Sequence, residues 1–339
     1  MTVSLASPLQ LGSPSLKNRF VLVSLTRNRG YIPDDLNAEY YRQRAGAGLL
    51  LTECTAVEPM SSEWTNAPGI YSEKQIDGWK NVTDVVHGEG SIIFAQLWHA
   101  GRLTHPALQS GQPNVGPSAV GAKGGKFRQL VGEPGYVNPE AIDDPQYYID
   151  LYRVPEQNAK SAGFDGVEIH SASGFLPHQF IDSIANQRTE KWGGSSENRA
   201  RFPLEVVKAA IEGFDDASRV ATKLAPSGGW NDMDDPEDVM IPTYSYLLTE
   251  LDKLNLAYIQ LVRHHLRTLI KNTRFLLNGD LSSTEAADLV ASGSIDAAVF
   301  GRPFVANPDF PHCALNGLPL AQPNFATRYP KHGRRGYTD

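Results

Sequence analysis

Two side chains able to donate hydrogen bonds, His170 and Ser173, follow the apolar run Gly166-Val167-Glu168-Ile169, which predicts a buried strand with both residues at its carboxyl end. Aimed together at one carbonyl or nitro oxygen, an imidazole and a hydroxyl would polarise a conjugated alkene and make its β-carbon a better hydride acceptor. Three more polar groups stand at the ends of similar runs. Lys223 nearly closes Val220–Leu224, Gln96 nearly closes Ile92–Leu97, and Thr26 lies in Ser24-Leu25-Thr26-Arg27 just after Phe20–Ser24. A fixed ammonium, an amide and a hydroxyl suit a ring that gathers negative charge along one edge on reduction. Taken singly, each has a plainer reading: a turn or cap residue for Thr26 and Gln96, an ion pair with Glu168 for Lys223. Two glycine turns, Asn278-Gly279-Asp280 and Phe300-Gly301-Arg302-Pro303-Phe304, offer close backbone approach and a guanidinium to a phosphate. Arg302 would otherwise form a surface ion pair, and Asp280 would repel a phosphate unless its side chain turned outward.

The elements that must position these groups recur along the chain. Short β-branched runs at Phe20–Ser24, Leu49–Glu53, Ile92–Leu97, Gly166–Ile169, Val220–Leu224, Ala257–Leu261, Phe275–Asn278 and Ala297–Phe300 alternate with helical patterns. This predicts an α/β fold, a (β/α)8 TIM barrel, with chemistry at the carboxyl ends of the strands. Ser195 and Ser196 cap a helix whose stripe is Leu204, Val207 and Ile211, and Ser282-Ser283-Thr284-Glu285 starts another that Gly293 closes. Ahead of the first strand, Leu9–Leu11 and Ser15–Lys17 flank Gly12-Ser13-Pro14, an N-terminal hairpin placed to plug the barrel base. The stretch from Gly101 to Ile142, rich in Gly, Pro, Ser and Asn, reads as a long loop after strand 3 that overhangs the site as a lid. Between Val262 and Arg274 there is room only for a short helix, Leu266 to Lys271.

With 339 residues, 41% hydrophobic and 20% charged, the chain can bury a sizeable core, and residues 1–339 are expected to form a single domain. A net charge of −7 and a pI near 5.7, with basic residues scattered, argue against nucleic acid or an anionic membrane as partner. A small-molecule partner is expected. Cys54 and Cys313 lie far apart without metal-ligand spacing, so neither a disulfide framework nor a metal site is expected. The amino terminus lacks a basic and apolar leader and no run has the length of a membrane span, which predicts a soluble, cytoplasmic protein; a monomer or homodimer is expected, with nothing in the sequence choosing between them.

The run His170-Ser171-Ala172-Ser173-Gly174-Phe175, continued by Gln179-Phe180 and by Trp192 through Phe202, closely resembles the signature of the old yellow enzymes, the NADH:flavin oxidoreductases. Further stretches carry the likeness from Leu16-Lys17-Asn18-Arg19 to Gly336-Tyr337: Leu25-Thr26-Arg27 and Gln96-Leu97-Trp98-His99-Ala100-Gly101-Arg102. The resemblance implies an FMN-dependent ene reductase, with NADPH or NADH as hydride donor and an activated alkene, an α,β-unsaturated carbonyl or nitro compound, as substrate. It implies a divergent, fungal-type member. In such enzymes the matching positions contact FMN, so Ser24, Leu25, Thr26, Cys54, Gln96 and Lys223 are expected along the isoalloxazine. Asn278, Gly279, Asp280, Gly301 and Arg302 are expected about the phosphate. His170 and Ser173 take the substrate-polarising role, with Ser173 replacing the usual Asn or His. Trp98 reads as a wall, and Arg199 and Arg201 as helix anchors.

Phe175 departs from that pattern where members carry a proton-donating tyrosine, because a phenyl ring has no proton to give. The acid must then be water, another side chain such as Tyr71 or Tyr329, or absent. The alternatives are slower reduction with solvent protonation, a double-bond isomerase as in some ergot-pathway relatives, or a non-catalytic flavin-binding remnant. Packing alone, with another acid intact, is a further reading of Phe175. Three other departures are Cys54 where glycine is usual, Asp280 where glycine or asparagine is usual, and Pro155 inside the third helix, expected to kink or break it.

Overall fold

Parallel strands need both faces covered, so runs such as Val220-Ala221-Thr222-Lys223-Leu224 must turn alternate side chains into a barrel and onto helices. The computed structural model describes residues 3–123, 135–263, 266–327, 329 and 333–339, and in it this is what the chain does. Eight barrel strands run in order: β1 Phe20–Leu22, β2 Leu49–Leu51, β3 Ile92–Trp98, β4 Gly166–Ser171, β5 Val220–Leu224, β6 Tyr258–Val262, β7 Arg274–Asn278 and β8 Ala297–Phe300. Each pairs in parallel with the next, and β8 returns to β1, closing the expected (β/α)8 barrel.

Helix α1 (Asp35–Gln43) follows β1 and α2 (Glu73–Gly88) follows β2; α3 (Pro145–Asp150) and α4 (Arg153–Ser161) follow β3. After β4 come α5 (Leu176–Ile181) and α6 (Ser196–Phe214), after β5 α7 (Glu237–Asp252), after β7 α8 (Ser283–Ala291), and after β8 α9 (Arg302–Ala306) and α10 (Phe310–Asn316). The Ser195 and Ser282 hydroxyls cap α6 and α8 as expected, accepting from the N–H groups of Asn198 and Glu285 at 3.3 and 3.1 Å. The anticipated helix break precedes Pro155: α3 ends at Asp150, and Pro155 falls in the first turn of α4, where its missing N–H leaves no bond unmade.

Between β6 and β7 the expected helix over Leu266–Lys271 contracts to a 3-10 turn, Leu266–Leu269. The Asp252 carboxylate at the end of α7 explains the contraction. It accepts from the N–H groups of Lys271, Asn272 and Thr273 at 3.0, 2.9 and 2.9 Å, drawing the connection straight onto the helix end. The connection after β3 is less structureless than its composition predicts. It holds 3-10 turns at Gly101–Leu103 and Pro106–Leu108 and a short parallel ladder between Val115–Gly116 and Glu140–Ala141. Ala122 and Tyr136 of this connection pack on the cluster that holds Cys54, Trp98 and Phe175, in keeping with a lid.

The alternation sorts the interior into layers. Phe20, Leu22, Ile93, Ile169 and Leu261 face the helices, whereas Val21, Leu49, Phe94, Tyr258 and Leu276 fill the barrel. The antiparallel pair Leu9–Gln10 with Ser15–Leu16 sends Leu9, Leu11 and Leu16 into that inner cluster, as the plug was expected to do. Gly12 makes this possible: its φ is +61°, and a Cβ there would stand 1.9 Å from the Ser218 carbonyl oxygen. Among the described residues no helix is long and apolar enough to cross a membrane. Because Leu16 is fully buried, Leu16→Ala should destabilise the protein by about 2–5 kcal/mol in chemical denaturation, through a cavity that the hairpin cannot collapse to fill.

Candidate active site

Above the apolar layer the barrel interior turns polar. Gln96 on β3, Glu168 and His170 on β4, Lys223 on β5 and Gln260 on β6 are all buried. Strand register brings them together: Gln96 lies opposite Glu168, and Lys223 lies between His170 and Gln260. Gln96 donates from Nε2 to Glu168 Oε1 at 2.6 Å, and the Cys54 thiol donates to Gln96 Oε1 at 3.3 Å. Burial raises the Glu168 carboxyl above its usual range, opposed by Lys223 and the Gln96 bond, while burial lowers the Lys223 ammonium, opposed by Glu168. Two ions out of water cost several kcal/mol each even after relaxation, so such a pair is weak evidence of stabilisation and stronger evidence of a task.

A cavity of about 610 Å³ opens on this layer, within the range of small-ligand sites. The Lys223 ammonium lines it and makes no hydrogen bond to any described residue. Ser24 and Leu25 after β1, Asn278, Gly279 and Asp280 after β7, Gly301 and Arg302 after β8, and Ser173 line it as well. Nine expected site residues therefore meet at one opening. Thr26, Cys54, Gln96, His170 and Phe175 lie outside its lining, with the Cys54 thiol 3.9 Å from the Ser24 hydroxyl. Thr26 is half-buried, and burial pushes the Cys54 thiol pKa up to about 11.

The glycines form a cradle. A Cβ on Gly279, where φ is +139°, would stand 2.7 Å from Arg263 Cβ, and one on Gly301 would stand 3.0 Å from Val23 Cγ1. Arg302 does not stand free. Its guanidinium donates to Asp280 Oδ2 at 3.2 Å, with the two side chains 66% and 71% exposed. The Asp280 carboxylate, at the rim of the cavity and largely exposed, is thus paired with the one arginine beside it that was expected to meet a phosphate.

The turn after β4 is fixed from several sides. Ser173 adopts φ +58° and Gly174 +84°. Asn231 Nδ2 donates to the Ser173 carbonyl at 2.7 Å, and Gln179 Nε2 donates to the carbonyls of Gly174 and Ala100 at 2.7 and 2.9 Å. The Gly174 N–H donates to His178 Nδ1 at 3.1 Å, which leaves the His178 proton on Nε2, 3.0 Å from the Tyr244 hydroxyl oxygen. Burial first, and Arg102 second, lower the His178 pKa to about 3. His170 is likewise held neutral, by burial and then by Lys223 and His178, and its Nδ1 has no partner among the described residues. Phe175 stands edge-on to His170 and Trp98, with ring centroids 4.6 and 5.4 Å away. Of the two tyrosines considered as acids, Tyr71 has a buried hydroxyl without a hydrogen-bond partner, and Tyr329 packs its ring on Trp64 at 5.0 Å.

Gln260 escaped the sequence reading. Both its amide atoms are buried without a partner. Its position two residues after Tyr258, in the inward register of β6, was the available signal. Orphaned groups at Gln260, His170 Nδ1 and Trp98 Nε1, a cationic wall at Lys223 and a glycine cradle together fit a flavin mononucleotide: polar edge, aromatic ring and phosphate.

Comparison with known proteins gives the same direction. Residues 4–321 match the NADH:flavin oxidoreductase / NADH oxidase family. The chain is 37% identical to a probable flavin mononucleotide-dependent alkene reductase of Leishmania infantum, across 98% of this chain and 95% of that protein. Among solved structures it resembles morphinone reductase in complex with tetrahydroNAD (TM-score 0.92, 38% identity, 99% and 96% of the two chains). It also resembles the old yellow enzyme homologue from Zymomonas mobilis (TM-score 0.94, 33% identity, 99% of each chain). The chain belongs to the NADH:flavin oxidoreductase / NADH oxidase family, that of the old yellow enzymes.

Proposed function

We propose that this chain is an FMN-dependent NAD(P)H oxidoreductase that reduces the C=C bond of α,β-unsaturated carbonyl or nitro compounds. The observation that carries the reading is the buried Lys223 ammonium, facing the cavity without a hydrogen-bond partner of its own. FMN, when bound, supplies hydride chemistry between the nicotinamide and the alkene. Lys223 would neutralise the part of the ring where negative charge gathers, Gln96 would bond its pyrimidine side, and the Thr26 hydroxyl and Cys54 thiol, with Ser24 and Leu25, would hold the ring. Asn278, Gly279, Gly301 and Arg302, which line the cavity with Asp280, would hold the phosphate. The nicotinamide donor is supported by the tetrahydroNAD complex of morphinone reductase.

Neutral His170 donates one N–H to the substrate oxygen, and Ser173 adds a hydroxyl from a turn that Asn231 and Gln179 fix. Phe175 supplies no proton. It screens His170 from water and so helps keep the imidazole neutral, and protonation of the α-carbon falls to solvent. The named relatives are reductases, which favours net reduction over the isomerase or the inert remnant. In this reading residues 1–339 form one FMN-binding domain, cytoplasmic, acting as a monomer or homodimer on a small-molecule alkene.

Purified protein should carry an oxidised flavin spectrum that NADPH bleaches under nitrogen and 2-cyclohexenone restores; well-folded, colourless protein that takes up no FMN would overturn the reading. Phe175→Tyr should raise the single-turnover oxidation rate of the reduced enzyme about tenfold or more if the proton limits turnover, and an unchanged rate would show that hydride transfer limits it. Asp280→Asn should tighten FMN binding roughly two- to fivefold, measured on refilled apoprotein, because it frees Arg302 for the phosphate.

A further inference from the structure

Glu53 lies just past β2, 1% exposed, one residue before Cys54. Its Oε2 accepts from the N–H groups of Arg27 and Asn28 at 3.1 and 3.3 Å, the residues directly after Thr26. Its own N–H donates to the Tyr41 hydroxyl oxygen on α1 at 2.8 Å, and its Oε1 has no partner among the described residues. Asn28 is left-handed, φ +57°, so the chain turns at the point where the carboxylate grips it.

The same turn is held from behind by Thr327 and by residues of 333–337. Arg27 donates to the Gly336 carbonyl, and its guanidinium lies 5.4 Å from the Tyr40 ring centroid and 5.2 Å from that of Tyr337. Arg29 donates to the carbonyls of Gly333, Arg335 and Thr327 at 2.9, 3.1 and 3.3 Å and lies 4.9 Å from the Tyr337 ring centroid. Tyr337, 2% exposed, stacks on Tyr40 with centroids 4.3 Å apart, and its hydroxyl accepts from Asn37 Nδ2 at 3.1 Å.

We propose that Glu53 is a positioning residue of the reduction site, clamping the 26–28 turn so that Thr26 and Cys54 meet the flavin in one fixed geometry, with Tyr337 as the backing of that clamp. The proposal rests on the reading of Thr26 and Cys54 as flavin neighbours. The groups facing Glu53 are Arg27 and Arg29 of the turn, Tyr41 of α1 and Tyr337, while Tyr40 and Asp339 stand one step further out, acting on Arg27 and Arg29. Burial outweighs the two N–H bonds and the two arginines and carries the Glu53 carboxyl up to about 7, so its charge appears as pH rises through neutrality. A new negative charge behind the flavin edge disfavours electron uptake, so the potential should fall through that window.

The test uses holoenzyme. Glu53→Ala should weaken FMN binding at least tenfold, and Tyr337→Leu should act in the same direction. Glu53→Gln, which keeps an acceptor oxygen, should restore binding to within about threefold of wild type. In Glu53→Gln the flavin midpoint potential should also lose the wild-type drop near pH 7, read as the difference between the two pH profiles. Variants that lower only the melting temperature, leaving the FMN dissociation constant and the potential profile as in wild type, would overturn the proposal. Should Glu53→Ala fail to fold, Glu53→Gln alone decides through its pH profile. Wild-type protein that takes up no FMN would overturn the reductase reading and this one together, whereas FMN-replete wild type with indifferent variants would overturn this one alone.

Discussion

The rest of the site depends on an ammonium kept inside a closed barrel. Lys223 can be buried there because β4 and β5 are parallel neighbours in a register that sets Glu168 one layer below it and His170 beside it. Glu168 in turn is tied through Gln96 to the Cys54 thiol. The links run from β5 through β4 and β3 to Cys54, three residues past β2, so one desolvated charge bears on groups from four strands. An apolar layer beneath, with Phe94 and Tyr258, and a leucine plug beneath that keep water from relieving the strain from below. Relief can come only from the open side, where the cavity lies.

Around that charge the loops act as braces. The His178–Tyr244 contact links the turn after β4 to α7, Gln179 links it to the loop after β3, and Asn231 links it to the loop after β5. Arg102, fully buried, donates to the carbonyls of Val120, Asn231 and Asp232 and so ties the lid connection to the same loop after β5. Ser173 is therefore a short side chain on a rigid turn. A rigid support offsets part of what a shorter donor loses in reach.

The departures from the family pattern take on distinct physical meanings in three dimensions. Phe175 fills a seat between His170 and Trp98, so the position that usually holds an acid here removes water from the imidazole. Asp280 engages Arg302 in an exposed ion pair at the rim. Cys54 is a buried thiol hydrogen-bonded within the polar layer and held protonated by desolvation. Pro155 sits where a helix start tolerates it.

The barrel was legible because each strand writes its own short-range signature: β5 and β8 match the expected runs residue for residue, and β4 extends two residues past its run. Most of the candidate residues that line the cavity were legible for the same reason, standing at or just past the ends of those runs. What the linear chain does not carry is the pairing between distant elements. The grip of Glu53 on Arg27, the reach of Arg29 to Gly333, the Asp280–Arg302 pair and the orphaned amide of Gln260 all follow from which strand ends become neighbours once the barrel closes. The contraction of the sixth connection depended on the Asp252 carboxylate meeting three free N–H groups nineteen to twenty-one positions along the chain. Local pattern thus determined strands, helices and candidate groups, because propensity and periodicity act over a few residues. Charge states, partners and strain were decided by tertiary structure, because desolvation and hydrogen bonding depend on what lies within a few ångströms in space.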